Sequence, residues 1–261
     1  MIELDSIAFA YAQKTPLLAQ SFLFSQYNWR VEQGQAWAVL GPSGCGKTTL
    51  LYLLAGLIFP SSGQVRVDSQ TLTHPRPETG LILQDYGLLP WNNVLDNICL
   101  GLRIRQFYGP DGKHAPRLPQ NAGEDARKWI SRLGLSGLEQ RYPGQLSGGQ
   151  RQRVAIARTL VLQPDLLLMD EPFSSLDAPT RISLRELTLS LWAEQRFTFI
   201  VVTHAIEEAA HLGQQILVLG QPPHTHAEII QNPCFGQANF AESSDYHALT
   251  RLLRARMAES V

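Results

Sequence analysis

The spacing of hydrophobic and polar residues changes several times along the chain. The first 40 residues alternate short apolar stretches with turns: IELDSIAFAY, SFLFSQYNWRV and then AWAVL (36–40). This pattern predicts strands, partly antiparallel, with EQGQ (32–35) as a turn. Lys47–Leu57 reads as a buried helix, PSSG (60–63) as a turn, QVRVD as a strand and GLILQ (80–84) as a short, nearly all-apolar strand. From about 85 to 160 the period is helical, with no convincing strand. A Gly-, Pro- and basic-rich loop, YGPDGKHAPRLPQNAG (108–123), interrupts that region, and helix EDARKWISRLGL follows it. Strands return at DLLLMD (165–170), FTFIVVT (197–203) and QILVLG (215–220), alternating with helices near 178–195 and 205–212. Continuous apolar strands separated by helices predict a parallel sheet covered on both faces. The expected organisation is an α/β core (1–84 and 161–220) with an N-terminal antiparallel β subdomain and a helical subdomain inserted at about 85–160. A short C-terminal extension (221–261), rich in turns, carries a helix near 245–257. No internal repeat is visible.

Composition narrows this further. Of 261 residues, 44% are hydrophobic and 17% charged, ample material for a core. The net charge of −1 gives no electrostatic footprint for nucleic acid. Cys45, Cys99 and Cys234 are widely spaced and form no C-x-x-C pair, which argues against a disulfide framework or a zinc site and fits a reducing compartment. No basic residue precedes Lys14, so the N-terminus does not read as a signal peptide. The longest apolar run, LLYLLAGLIF (50–59), is about half the length that a membrane-spanning helix needs, so the chain is not expected to be integral to a membrane by itself.

Two glycine-rich stretches, each running into a helix, carry the first chemical signals. GPSGCGKT (41–48) matches G-x-x-x-x-G-K-S/T between a predicted strand and a predicted helix. In such a loop Gly41, Gly44 and Gly46 let successive backbone N–H groups face phosphate oxygens, with Pro42, Ser43 and Cys45 between them. Lys47 adds a cation for the β- and γ-phosphates, the Thr48 hydroxyl can ligate Mg²⁺, and Thr49 continues the cradle. LSGGQ (146–150) is the second stretch. Ser147 and Gln150 fit a helix capping box. Gly148 and Gly149 equally place bare N–H groups at a helix N-terminus, which is an anion site.

Carboxylates and polar residues at strand ends complete the set. LLLMDEP (166–172) is an apolar strand ending in Asp170, a candidate Mg²⁺ ligand through water, and Glu171, a candidate general base for an attacking water. The bland alternative is that Asp-Glu-Pro starts the next loop. His204 and Gln84 also end strands, where ligands bind in parallel sheets. They read as a γ-phosphate contact and a Mg²⁺ or water ligand respectively.

Together GPSGCGKT, LILQ, LSGGQ, LLLMDEP, SSLD (174–177) and VTH (202–204) resemble, in order and spacing, the ATP-binding subunit of an ABC transporter over about residues 1–220. The resemblance implies a P-loop NTPase core of RecA type, ATP and Mg²⁺ as ligands, and ATP hydrolysis. It also implies a head-to-tail dimer in which Ser147 and Gly149, with Gly148 and Gln150, serve the neighbour's ATP. Asp177 would lie at the dimer seam and Tyr11 would stack on adenine. A finer resemblance, in YGLLPWNNVLDNICLGL (86–102), DAPTR (177–181) and YPGQLSGGQRQRVAIAR (142–158), is to nitrate, sulfonate and taurine importer ATPases, a group that includes transporters of pyrimidine thiamin precursors. Such a subunit is expected to work peripherally at the cytoplasmic face of the membrane, with integral permease subunits and, indirectly, an extracytoplasmic solute-binding protein. The apolar cluster Tyr86, Leu88, Leu89 and Trp91 is the expected permease dock, with packing in the helical subdomain as its alternative. The competing class is a soluble ABC ATPase acting outside transport. Two departures stand out. Ala205 replaces the family's usual Asp after the His, and HLGQQILVL (211–219) lacks the acidic and basic pair common before the final strand.

Overall fold

The computed structural model describes residues 1–11, 21–108, 122–237 and 243–259. In chain order the elements of the first half are β1 (Ile2–Phe9), β2 (Phe24–Val31), β3 (Ala36–Leu40), α1 (Lys47–Ala55), β4 (Ser62–Val67), β5 (Gln70–Thr71), β6 (Thr79–Ile82), α2 (Val94–Tyr108) and α3 (Ala122–Arg132). They continue with α4 (Gly148–Leu160), β7 (Leu166–Asp170), α5 (Ala178–Gln195), β8 (Thr198–Thr203), α6 (Ile206–Leu212), β9 (Gln215–Val218), β10 (Glu228–Gln231) and α7 (Ser244–Glu259). The chain divides into two compact units, Met1–Arg76 with Trp192–Val261, and Pro77–Leu191.

In the first unit β1 alternates as an antiparallel strand should, burying Ile2 and Leu4, until Ser6 breaks the period. Ser6 has φ 50°, the register to β2 shifts between Leu4 and Ile7 and that to β4 between Asp5 and Ala8, and burial resumes at Ile7 and Phe9. One additional residue returns the apolar side chains to the core face. The sheet runs β2-β1-β4-β5, all antiparallel. A second sheet in the same unit pairs β3 in parallel with β8 and β9, and β9 antiparallel with β10. Every residue of β3 and β8 is buried, as expected of strands covered on both faces. Helix α1 lies against β8, α6 against β3 and β8, and α7 against α6. The segment read as a C-terminal extension therefore belongs to this unit through β10 and α7. EIIQ was too short, in a turn-rich setting, to be read as a strand.

In the second unit β6 and β7 run parallel, with Ile82 opposite Met169. Helices α2, α3 and α4 pack on one another, and α4 on β6. Helix α3 is amphipathic, burying Ala126, Trp129 and Ile130 and exposing Glu124 and Lys128. The buried Arg105 guanidinium donates to the Pro77 carbonyl at 2.7 Å and the Leu162 carbonyl at 2.9 Å, tying the end of α2 to the segments that lead into β6 and β7. This unit is wider than the helical segment expected at 85–160, since it includes β6, β7 and most of α5. The Gly- and Pro-rich stretch lies, at 109–121, outside the described residues. Among the described residues no helix is long and apolar enough to cross a membrane.

Candidate active site

Two sets of candidate residues emerge, one in each unit. In the first, the register opposes Leu40 of β3 to Thr203 of β8. The loops leaving those strands, one beginning at Gly41 and the other at His204, therefore depart from the same sheet edge. The 41–46 loop enters α1 through Gly46, whose φ is 106°. A side chain there would also meet Leu23, with a leucine methyl 2.8 Å from the Cβ position, so both conformation and space require glycine. Gly46 offers α1 no side-chain cap, as suits a helix N-terminus that receives an anion. Lys47 is buried, and its ammonium donates to the carbonyls of Gly41 and Pro42, each at 2.9 Å. Ser43, Gly44 and Thr48 stay exposed around it. The Cys45 thiol is buried, and burial pushes its pKa up, keeping it a packed thiol rather than a thiolate nucleophile.

Tyr11 joins this set. Its hydroxyl lies 2.8 Å from the Thr49 hydroxyl and its ring meets the Phe9 ring edge-on at 5.0 Å. With 58% of its surface exposed, it is not a core residue. His204 is exposed at the end of β8. The Ala205 departure is answered locally. The Thr203 hydroxyl donates to buried Glu208 at 2.7 Å and accepts from the Ala205 N–H at 3.0 Å, so the turn carrying His204 is held without an Asp at 205.

In the second unit Asp170 ends β7, buried, and Glu171 follows. Gln84 lies two residues past Ile82, the β6 residue opposite Met169, so it leaves the same edge of the pair. It is exposed and outside the strand, which ends earlier than the sequence pattern predicts. Glu171 has φ 42°, in the left-handed region that a residue with a Cβ rarely enters. The Ser174 N–H and hydroxyl, at 3.3 and 3.0 Å from the Glu171 carbonyl, hold that turn. Strain of this kind costs about 1–3 kcal/mol and concentrates at functional sites. The side-chain oxygens of Asp170 and Gln84 in this unit are of the kind that suits a hard cation, as is the Thr48 hydroxyl in the first unit. Among the described residues no group of three His, Cys, Asp or Glu side chains is assembled to hold a metal alone. A Mg²⁺ would take its remaining ligands from phosphate and water, its usual habit.

The second glycine pair heads α4. Ser147 accepts the Gln150 N–H at 3.3 Å and Gln150 Oε1 accepts the Ser147 N–H at 2.9 Å, so the capping box exists. Gly149 also has a packing reason, because a Cβ there would lie 2.5 Å from the Thr180 methyl on α5. Asp177 starts α5 and accepts the Thr180 N–H at 3.3 Å. Hydrogen bonds from the Thr180 side chain and backbone hold its carboxyl below the usual carboxylate range. Ser147 and Asp177 are both exposed.

The 86–91 cluster divides. Tyr86 is buried, with its hydroxyl 2.9 Å from that of Ser175, and so anchors the loop instead of presenting a docking side chain as expected. Leu88 and Leu89 are half-buried, and Trp91 is 72% exposed. Two residues that the sequence reading missed hold this loop. Arg158 donates to the carbonyls of Tyr86 at 2.7 Å and Gly87 at 2.6 Å. The fully buried Asn97 accepts the Leu89 N–H at 2.9 Å, and its amide nitrogen faces the carbonyls of Leu89, Asn92 and Asn93. Only the long separation of Arg158 from the loop hid its part. Asn97, a polar residue in the apolar face of a predicted helix, was a signal available in the sequence.

Comparison with known proteins places this geometry in context. A family model described as ABC transporter matches residues 24–174. The chain is 41% identical over 220 residues to the taurine import ATP-binding protein TauB of Yersinia pestis, covering 84% of this chain and 82% of the relative. It is 35% identical over 231 residues to the aliphatic sulfonates import ATP-binding protein SsuB of Bacillus cereus, covering 88% and 86%. Among solved structures, a dimeric ATP-binding cassette in a post-hydrolysis state with ADP and Pi matches with a TM-score of 0.73 at 26% identity, over 88% of this chain and 98% of that one.

The Asn97 amide predicts a local loss. Asn97→Ala leaves the Leu89 N–H and nearby carbonyls without their partner, a cost of about 1–3 kcal/mol. Amide hydrogen exchange at Leu89 should quicken accordingly, while exchange in β3 and β8 stays unchanged. Unaltered protection at Leu89 would show that the loop is held without it.

Proposed function

The chain belongs to the ABC transporter family as an ATP-hydrolysing subunit, and from that premise we propose that it drives import of a small sulfonate- or taurine-like solute through separate membrane subunits. The observation that carries this reading is the buried Lys47 ammonium set within a glycine loop that enters an uncapped helix N-terminus. That loop, Gly41–Thr49, binds the ATP phosphates, with Lys47 neutralising the β- and γ-phosphates. Tyr11 stacks on adenine, which its exposure and its bond to Thr49 support. Thr48, Asp170 and Gln84 are the residues that would hold Mg²⁺, which would supply charge to offset that of the phosphates. Glu171 polarises the attacking water as general base, and His204 contacts the γ-phosphate.

Hydrolysis takes place in a head-to-tail dimer. Ser147 and the N–H groups of Gly148 and Gly149, with Gln150, close over the ATP of the partner copy, and Asp177 lies at the seam. The dimeric state of the similar cassette supports this arrangement. The subunit works peripherally at the cytoplasmic face, and the permease docks on Leu88, Leu89 and Trp91. The names of the import relatives support the solute class.

Glu171→Gln keeps the size of the side chain and its neighbour Asp170 but removes the base. This variant should bind Mg-ATP, accumulate as a dimer and lose about 10²–10⁴-fold in turnover. Near-normal steady-state hydrolysis would take the role from Glu171. Separately, Leu89→Glu and Trp91→Glu should leave the subunit folded and able to bind ATP, yet unable to co-purify with its permease or support uptake. If both variants assemble and transport normally, the dock lies elsewhere.

A further inference from the structure

Beyond β9 the chain meets the Gly41–Thr49 loop at His224. Its backbone pairs with the start of β2. The His224 N–H donates to the Leu23 carbonyl at 2.9 Å, and its carbonyl accepts the Ser25 N–H at 2.9 Å. His224 is 7% exposed. It packs on the Phe24 ring with centroids 5.2 Å apart and meets the Tyr27 ring edge-on at 6.4 Å. Its Nε2 lies 2.7 Å from the carbonyl oxygen of Cys45, in the middle of the phosphate loop. A carbonyl oxygen can only accept, so Nε2 carries the hydrogen. Burial lowers the pKa of His224, which favours the neutral ring that this contact uses.

The position of that carbonyl matters. The Cys45 C=O and the Gly46 N–H belong to one planar trans peptide, in which the two groups point in opposite directions. Fixing the carbonyl therefore fixes the N–H. Gly46 sits at φ 106°, and a glycine tolerates either sign of φ, so the loop sequence alone does little to stop this peptide from rotating. Leu23, the residue that pairs with His224, fills the space beside Gly46. Two adjoining loop residues are thus braced from one rung of backbone pairing, Cys45 by the His224 ring and Gly46 by Leu23.

We propose that His224 is a positioning residue for nucleotide binding. It donates to the Cys45 carbonyl and so holds the Cys45–Gly46 peptide with the Gly46 N–H turned toward bound phosphate. The role rests on the phosphate-loop reading above and gives the segment beyond β9 a part in that site. His224 acts through the loop and touches no substrate itself.

Three single variants of the full-length chain test it, with Mg-ADP affinity measured by titration calorimetry beside the melting temperature of the nucleotide-free protein. His224→Phe keeps a ring against Phe24 and Tyr27 but has no donor. His224→Gln keeps a donor near the Nε2 position. His224→Asn carries the same amide one carbon short of it. One net hydrogen bond corresponds to about a three- to tenfold change in affinity. Phe and Asn should weaken Mg-ADP by that factor, and Gln should retain the original affinity. A purely structural role would lower the melting temperature of all three and leave affinity untouched, which overturns the proposal. If the Phe variant does not fold, the Gln and Asn pair decides, and equal affinities overturn it as well. Lys47→Ala separates this from the underlying reading. If that variant binds Mg-ADP undiminished, the phosphate loop is misassigned whatever His224 does.

Discussion

Strands buried on both faces have nowhere to put a polar side chain except at their ends, and the chemistry of this chain follows from that. In β3 and β8 every residue is buried. The polar groups of β8, Thr198 and Thr203, stand at its termini, where each finds a hydrogen-bond partner in Gly34 or Glu208. The Gly41–Thr49 loop begins one residue after Leu40, and His204 lies one residue after Thr203. The same logic acts in β7, whose four apolar residues end in Asp170, with Glu171 just beyond in a left-handed conformation. Parallel pairing then gathers these ends on shared edges, because residues in register stop together.

This is also why many of the candidate residues were legible in the sequence. Continuous apolar runs located the strands, and the first polar residue after each run was a candidate by position alone. That logic nominated Asp170 and His204, while the motif GPSGCGKT nominated the loop from Gly41 to Thr49. It overran at Gln84, where the apolar pattern continued past the end of β6 at Ile82. It failed where a role depends on a partner distant in sequence. Tyr86 looked like one more apolar docking residue, yet Ser175 and Arg158 turn it into an anchor. His224 sits in a turn-rich stretch with no local signal, and its partner Cys45 is 179 residues away.

The two glycine-headed helices show how one local motif carries two duties. At α4 the capping box of Ser147 and Gln150 and the close packing of Gly149 on Thr180 would be sufficient reason for those residues. Neither reason needs Ser147 exposed, and it is exposed. At α1 the N-cap is Gly46, which provides no such box, while a buried lysine closes the loop. The first helix start has no side-chain cap. The second is already capped and offers its outer face. On the proposal made here, that difference reflects two halves of one site, supplied by two copies of the chain.

Steady-state ATP hydrolysis by mixed dimers tests this most directly. One copy carries Lys47→Ala, with a disabled phosphate loop and an intact Ser147. The other carries Ser147→Arg, with the reverse. If each nucleotide is held between the loop of one copy and the α4 start of the other, a mixed dimer contains one site made of two intact halves. Mixing should then raise hydrolysis above that of either variant alone. If heterodimers are demonstrated and hydrolysis stays at the level of the separate variants, each copy works by itself and the account is wrong.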